Sequence, residues 1–144
     1  MSVEEIKALE RRFAEEWNKG KAAAMNAIDE LYATDFVEHT STGDDTLSLK
    51  DYKQSMSELY SAFPDIHFTL DDMVVEGDKV AVRFTFSGTH KGEFEGIPPT
   101  NKKVTMWGIY IDRLAGGKFV ESWVRYDTLG LNQQLGPAPK PGQG

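Results

Sequence analysis

The hydrophobic period of this 144-residue chain changes once, at Pro64, and no other feature of the sequence constrains the fold as much. Before Pro64, apolar residues recur three and four positions apart, the spacing of one face of an α-helix. After it they recur every second residue, the spacing of one face of a β-strand. Helices first and strands second predict an α+β domain with the helices on one face of the sheet. Strands joined by short turns predict an antiparallel meander.

In the helical half, Ser2 followed by Glu5 forms a capping-box pattern, and Ile6, Leu9, Phe13 and Trp17 then share a face as far as Gly20. A second helix is expected over 21–32, with Met25, Ile28 and Tyr32 inward. Asp35-Phe36-Val37-Glu38-His39 reads as a short extended piece, and residues 40–47 read as a polar loop. Ser48 can cap a third helix in which Tyr52, Met56, Leu59 and Phe63 line up before Pro64 ends it. In the strand half, Ile66, Phe68 and Leu70 alternate with polar residues until Asp71-Asp72, where the slip predicts a bulge. Val80, Val82, Phe84 and Phe86 mark a second strand. A third covers 103–114, and Gly116-Gly117 turns it into a fourth over 118–126. These elements predict a single domain over 1–135, followed by a loose Pro/Gly-rich tail over 136–144.

Composition removes several classes of function. A formal net charge of -7 argues against sequence-independent nucleic-acid binding, which requires Lys and Arg to displace phosphate counterions. Cysteine is absent, so there is neither a disulfide frame nor thiolate chemistry. No apolar run approaches the ~20 residues of a membrane span, and the acidic start Met-Ser-Val-Glu-Glu-Ile does not read as a signal peptide. The expected location is cytoplasmic. His39, His67 and His90 have no metal-site spacing, so no metal is expected.

The segment Gly88-Thr89-His90-x-Gly92-x-Phe94-x-Gly96-Ile97-Pro98-Pro99-Thr100 resembles the signature of the SnoaL-like polyketide cyclases, or ester cyclases, of the nuclear transport factor 2-like superfamily. Asn18-Lys19-Gly20, Asp35–His39, Ala62-Phe63-Pro64-Asp65 and Leu131–Gly136 extend the likeness over about 17–136. The resemblance implies a cone-shaped α+β barrel, with about three helices on the concave face of a bent antiparallel sheet. It also implies a pocket for a small apolar or carbonyl-containing molecule, and aldol-type ring closure without metal or cofactor. Counted without gaps from Gly117-Lys118 to Leu135-Gly136, the family's acid/base aspartate position falls on Val124 and its histidine position on Tyr110. A further motif aspartate matches Asp127.

With Val124 inward, strand alternation turns Ser122, Tyr126, Met106, Gly108 and Tyr110 toward the pocket and Trp107, Ile109, Ile111, Trp123 and Arg125 away from it. Tyr110, Tyr126, His39 and Asp127 are the expected catalytic groups. A phenol can hold an oxyanion, a histidine is easily poised near neutral pH, and a buried carboxylate can act as a base. The plainer readings are core packing for the two tyrosines, a loop or pocket-rim role for His39 and a turn cap for Asp127. Val124, Ser122, Met106, Phe84, His90 and Trp17 are the expected ligand contacts, with a structural hydrogen bond to the following loop as the plainer reading of His90. His67 is expected on a solvated face, and Glu38 and Glu121 read as solvated more readily than catalytic.

Three functions fit this pattern: a cofactor-free cyclase, lyase or isomerase, a small-ligand-binding protein, or a dimeric interaction module. The outward row of Trp107, Ile109, Ile111 and Trp123 predicts a homodimer through the outer sheet face, with Arg83, Arg125 and Glu121 at its rim.

Overall fold

A computed structural model describes residues 1–40 and 45–136, so residues 41–44 of the expected loop and the expected tail beyond Gly136 lie outside the described residues. Helix α1 (Val3–Lys19) begins with the capping box: Ser2 Oγ accepts from Glu5 N at 3.1 Å, and Glu5 Oε1 accepts from Ser2 N at 3.1 Å. Gly20 ends it and opens α2 (Lys21–Leu31), at a φ of 121° that favours glycine. The chain continues through β1 (Tyr32–His39), β2 (Thr46–Ser48) and α3 (Leu49–Ala62), whose cap is Ser48, with Oγ accepting from Asp51 N at 3.2 Å. Strands β3 (His67–Glu76), β4 (Lys79–Thr89), β5 (Lys103–Ala115) and β6 (Lys118–Tyr126) follow, and α4 (Thr128–Leu135) closes the described chain.

The strand order is β2-β1-β6-β5-β4-β3. Strands β3 to β6 form the expected antiparallel meander, and the slip at Asp71-Asp72 is a register shift between Leu70 and Asp72. The all-antiparallel expectation needs correction, because β1 runs parallel to β6 and the sheet is mixed. Periodicity reports which way side chains face but carries no information on strand direction. β1 leaves the helical layer and joins the sheet beside the last strand, so its direction is set by the path of α2. Two elements were not anticipated: the short strand β2, paired with β1, and α4.

The sheet has one covered and one open face. Val80, Val82, Phe84 and Phe86 of β4 are buried under the helices, while Trp107, Ile109 and Ile111 of β5 stay exposed on the other side. The loop after β4 is anchored to the end of α3. Lys91 N and Gly92 N both donate to Ala62 O, and Asp65 accepts from Thr89 N and Oγ1 at 2.6 and 2.7 Å. A Cβ on Gly92 would lie 2.2 Å from Ser61 O, so the close approach requires glycine. Two of the sequence pieces that carried the family resemblance therefore meet here and hold the loop in place.

Candidate active site

Between the helices and the covered sheet face lies a cavity of ≈ 440 Å³. Its walls are mainly aromatic: Phe13 and Trp17 of α1, Tyr52 of α3, and Phe68, Phe84 and Phe86 of the sheet. Gly108 shapes one wall. A Cβ there would meet Phe84 Cζ at 2.8 Å, so its absence lets the Phe84 ring lie over β5 and stack on Tyr110, with centroids 5.6 Å apart. Glu93, Phe94 and Glu95 of the anchored loop line the same cavity.

The floor of the cavity is polar, and the sheet register builds it. Glu38 on β1 pairs with Ser122 on β6, and Ser122 pairs with Asp112 on β5, so three inward side chains form one row across three strands. Beneath the row sits Glu10 of α1, fully buried, with Oε2 accepting a hydrogen bond from Tyr110 Oη at 2.7 Å. The other Glu10 oxygen has no donor facing it, and the group it meets is the Asp112 carboxyl. Two carboxyls can share such a contact only if one keeps a proton. Burial, then the charge of Asp112, hold Glu10 well above the usual carboxylate range. Burial also raises Asp112, but hydrogen bonds from Glu10 and Ser122 oppose it. Both carboxyls are thus held above their usual range, and the pair keeps a proton between them. The result is a buried acidic cluster in which Tyr110 donates to Glu10 and the Asp112 carboxyl lies beside both Glu10 and Ser122.

Glu38 lies at the edge of that cluster. Burial, then the negative charge of Asp112, push it up to about 7. Among the described residues its carboxyl accepts no hydrogen bond, and it lines the cavity. A carboxyl that is half ionised near neutral pH, with no donor facing it among the described residues, has the properties required of a proton acceptor.

Tyr110, Tyr126, Val124, Ser122, Met106, Phe84 and Trp17 all line the cavity as expected. Three expected site residues do not. His39 points to the opposite sheet face, where Nε2 bonds Glu121 Oε2 at 2.7 Å and the ring stacks on Trp123 at 5.0 Å. The cause is alternation, since Glu38 faces in and its neighbour must face out. Asp127 caps α4, with Oδ1 accepting from Gly130 N at 2.9 Å. His90 is fully buried behind the loop, where Nδ1 bonds Thr100 Oγ1 at 3.0 Å. The plainer readings of Asp127 and His90 thus describe their places. His67 is exposed, as expected.

Glu10 and Asp112 were missed, and both had a signal. Glu10 interrupts the buried face of Ile6, Phe13 and Trp17, a position where a charge needs a reason. Asp112 continues the inward alternation of Met106, Gly108 and Tyr110 by one step.

Helices covering one face of a six-stranded sheet, around an apolar cavity with an acidic floor, define an α+β protein of the nuclear transport factor 2-like kind. The sequence profile of the SnoaL-like polyketide cyclases matches residues 7–135, and the chain belongs to that family. A search of curated protein sequences returned no match. Among solved structures, AclR, a proposed hydroxylase from Streptomyces galilaeus, is 31% identical at a TM-score of 0.86, covering 96% of this chain and 100% of its own. TsrD from Streptomyces laurentii is 28% identical at 0.81, covering 94% and 98%. IdmH, a proposed polyketide cyclase from Streptomyces antibioticus, is 29% identical at 0.78, covering 91% and 98%.

Proposed function

We propose that the chain is a cofactor-independent enzyme that moves a proton at the carbon beside a carbonyl, acting on a small, largely apolar, polyketide-like compound. One observation carries this reading: the Glu38 carboxyl, half-buried in a largely aromatic cavity and raised to about 7, meets no hydrogen-bond donor among the described residues and stands in one row with Ser122 and Asp112. The Glu38 carboxylate takes the proton, and the carbonyl becomes an enolate. Tyr126, or Tyr110 once its proton turns from Glu10 toward the ligand, donates to the enolate oxygen. The enolate then either recovers a proton at another carbon or attacks a second carbonyl to close a ring, and Glu38 returns its proton to the product. Val124 shapes the wall, and the base comes from β1 instead of β6.

The test needs no knowledge of the natural substrate. Small aryl ketones such as 1-tetralone exchange their α-hydrogens with D2O, and proton NMR reads the rate. Exchange faster than buffer, reduced on the order of 10²-fold in Glu38→Gln, supports the reading. A ketone that binds by calorimetry but exchanges at the buffer rate overturns it in favour of the alternative, a ligand-binding protein without turnover.

The proposed assembly is a homodimer through the open sheet face. Trp107, Ile109 and Ile111 are 55%, 44% and 38% exposed at alternate positions along one face of β5, a row of apolar side chains that a second copy could cover.

A further inference from the structure

Glu38 sits in the middle of a thinly paired stretch of backbone. Val37, Glu38 and His39 pair with Glu121, Ser122 and Trp123 of β6, and a register shift separates them from the pair Tyr32 and Phe119. Their other neighbour, β2, is an edge strand of three residues. Short strands at a sheet edge open readily.

The sheet face away from the cavity supplies what this ladder lacks. There Arg113, Glu121 and His39 form a second polar row, each one residue removed from Asp112, Ser122 and Glu38 of the inward row on the same three strands. Arg113 Nε donates to Glu121 Oε1 at 3.0 Å, and His39 Nε2 bonds Glu121 Oε2 at 2.7 Å. The bond from His39, then that from Arg113, hold Glu121 below the usual carboxylate range. An ionised carboxylate only accepts, so His39 Nε2 carries the hydrogen. The imidazole also lies flat on Trp123, with centroids 5.0 Å apart and planes 6° from parallel. One residue further on, Arg125 Nη1 donates to Thr40 O at 2.7 Å and to Val124 O at 2.8 Å. His39 and Thr40, the two residues that follow Glu38, are thus both fixed to β6 from outside, and Thr40 lines the cavity as Glu38 does.

Partly exposed ion pairs contribute little to global stability, and the plain reading of this row is a zipped surface. Its placement points further. The contacts converge on the stretch of β1 that carries the base, and a misplacement of about 1 Å can cost on the order of 10²-fold in rate. The link is mechanical. Glu38 is raised by its burial and by Asp112 of β5, and the Tyr52 phenol of α3 in turn feels its charge, all on the cavity side. The outer row reaches Glu38 through the backbone of β1.

We propose that Glu121 and Arg125 are positioning residues for the base: acting on His39 and Thr40 from outside the cavity, they fix the end of β1 and with it the direction in which the Glu38 carboxyl points. This role rests on the reading of Glu38 as the proton acceptor. It also gives His39 a part in the site, served from behind the sheet.

Two cavity probes separate binding from turnover. 1-Tetralone binds and exchanges its α-hydrogens, whereas 2,2-dimethyl-1-tetralone has none to exchange and reports binding alone. Arg125→Met removes the tie to Thr40, and Glu121→Ala removes the acceptor for His39. Arg125→Lys keeps a donor and Glu121→Gln keeps an acceptor for the same partners. In Arg125→Met and Glu121→Ala the exchange rate at saturating 1-tetralone should fall about tenfold, while affinity for the dimethyl ketone stays within about threefold of the parent. Both conservative changes should recover most of the rate. The carboxyl carbon NMR signal of Glu38, assigned by its loss in Glu38→Gln, should titrate near 7 in the parent. It should titrate lower in Arg125→Met and Glu121→Ala, because a carboxyl free to turn toward water loses the burial that raised it. A row that only zips the surface would move the unfolding midpoint and none of these readouts. Arg125 is exposed, so Arg125→Met carries the comparison if Glu121→Ala does not fold.

The inference is overturned if Arg125→Met keeps the parent's rate and titration, if binding falls as far as the rate, or if the conservative changes recover nothing. It is also overturned if Trp107→Ser, on the same face but outside the row, loses as much rate. The two readings fail separately. A parent that exchanges no ketone, with a Glu38 titration that still shifts in Arg125→Met, defeats the enzyme and leaves the positioning role. Exchange that survives both Arg125→Met and Glu121→Ala does the reverse.

Discussion

Replacing Glu38 by Gln should stabilise the protein at alkaline pH and leave it nearly unchanged in acid. The side chain is half-buried, and the water it has lost, then the charge of Asp112, move its carboxyl from 4.5 to about 7. The sign follows from proton linkage. Between those two values the folded protein binds more protons at this group than the unfolded chain does, so stability falls as pH rises through the interval. Below about 4.5 both states are protonated and there is no penalty. Above about 7 the folded state must hold an anion it would sooner keep neutral. At about 1.36 kcal/mol per pH unit, the penalty is about 3 kcal/mol at pH 8 and under about 0.5 kcal/mol at pH 4.5. Gln has nearly the shape of the neutral acid and removes the penalty. Groups held below their usual range, such as Asp65 and Glu121, act in the opposite direction, so the informative quantity is variant minus parent. Urea unfolding at the two pH values gives that difference directly, and the melting temperature at pH 8 should rise on the order of 10 °C. The same substitution should lower exchange activity on the order of 10²-fold, as expected of a group placed for chemistry at the expense of stability. Equal stability of variant and parent at pH 8, or an equal gain at both pH values, would refute the reasoning.

Three further outcomes are expected. Tyr110→Phe should lower the exchange rate by on the order of 10² or more, while exposed His67→Ala leaves it unchanged; equal small effects from both would count against an oxyanion role for the phenol. Gly92→Ala must push the loop off Ser61 O, so it should destabilise the protein by about 1–3 kcal/mol in urea unfolding; an unchanged midpoint would show that the loop is not held as described. Changing Trp107 and Trp123 together to Ser should convert a dimer to a monomer in sedimentation while the cavity probes still bind, and a monomeric parent defeats the proposed interface.

Much of the fold was legible because it depends on local spacing. The capping box at Ser2 and Glu5, the stop at Pro64 and the bulge at Asp71-Asp72 all rest on short-range sterics and hydrogen bonds. Alternation also assigned the facing of Met106, Gly108 and Tyr110 against Trp107, Ile109 and Ile111, because side-chain direction is a property of a single strand. The direction of β1 was hidden, since pairing with β6 is a relation between segments some 80 residues apart and leaves no period in either of them.

The candidate site divides along the same line. The aromatic wall and the two cavity tyrosines could be read from the chain. The choice between His39 and Glu38 turned on a single step of alternation in a strand whose neighbours were unknown. By itself the sequence determined that inward-facing phenols and large apolar side chains would surround a space. Only the tertiary structure put Glu38, Ser122 and Asp112 in one row, and only it placed Glu10 of the first helix beneath them. A carboxyl's proton affinity depends on the water it has lost and the charges it faces. Both are set by segments far apart in sequence, so the chemistry of this cavity exists only once the chain has folded.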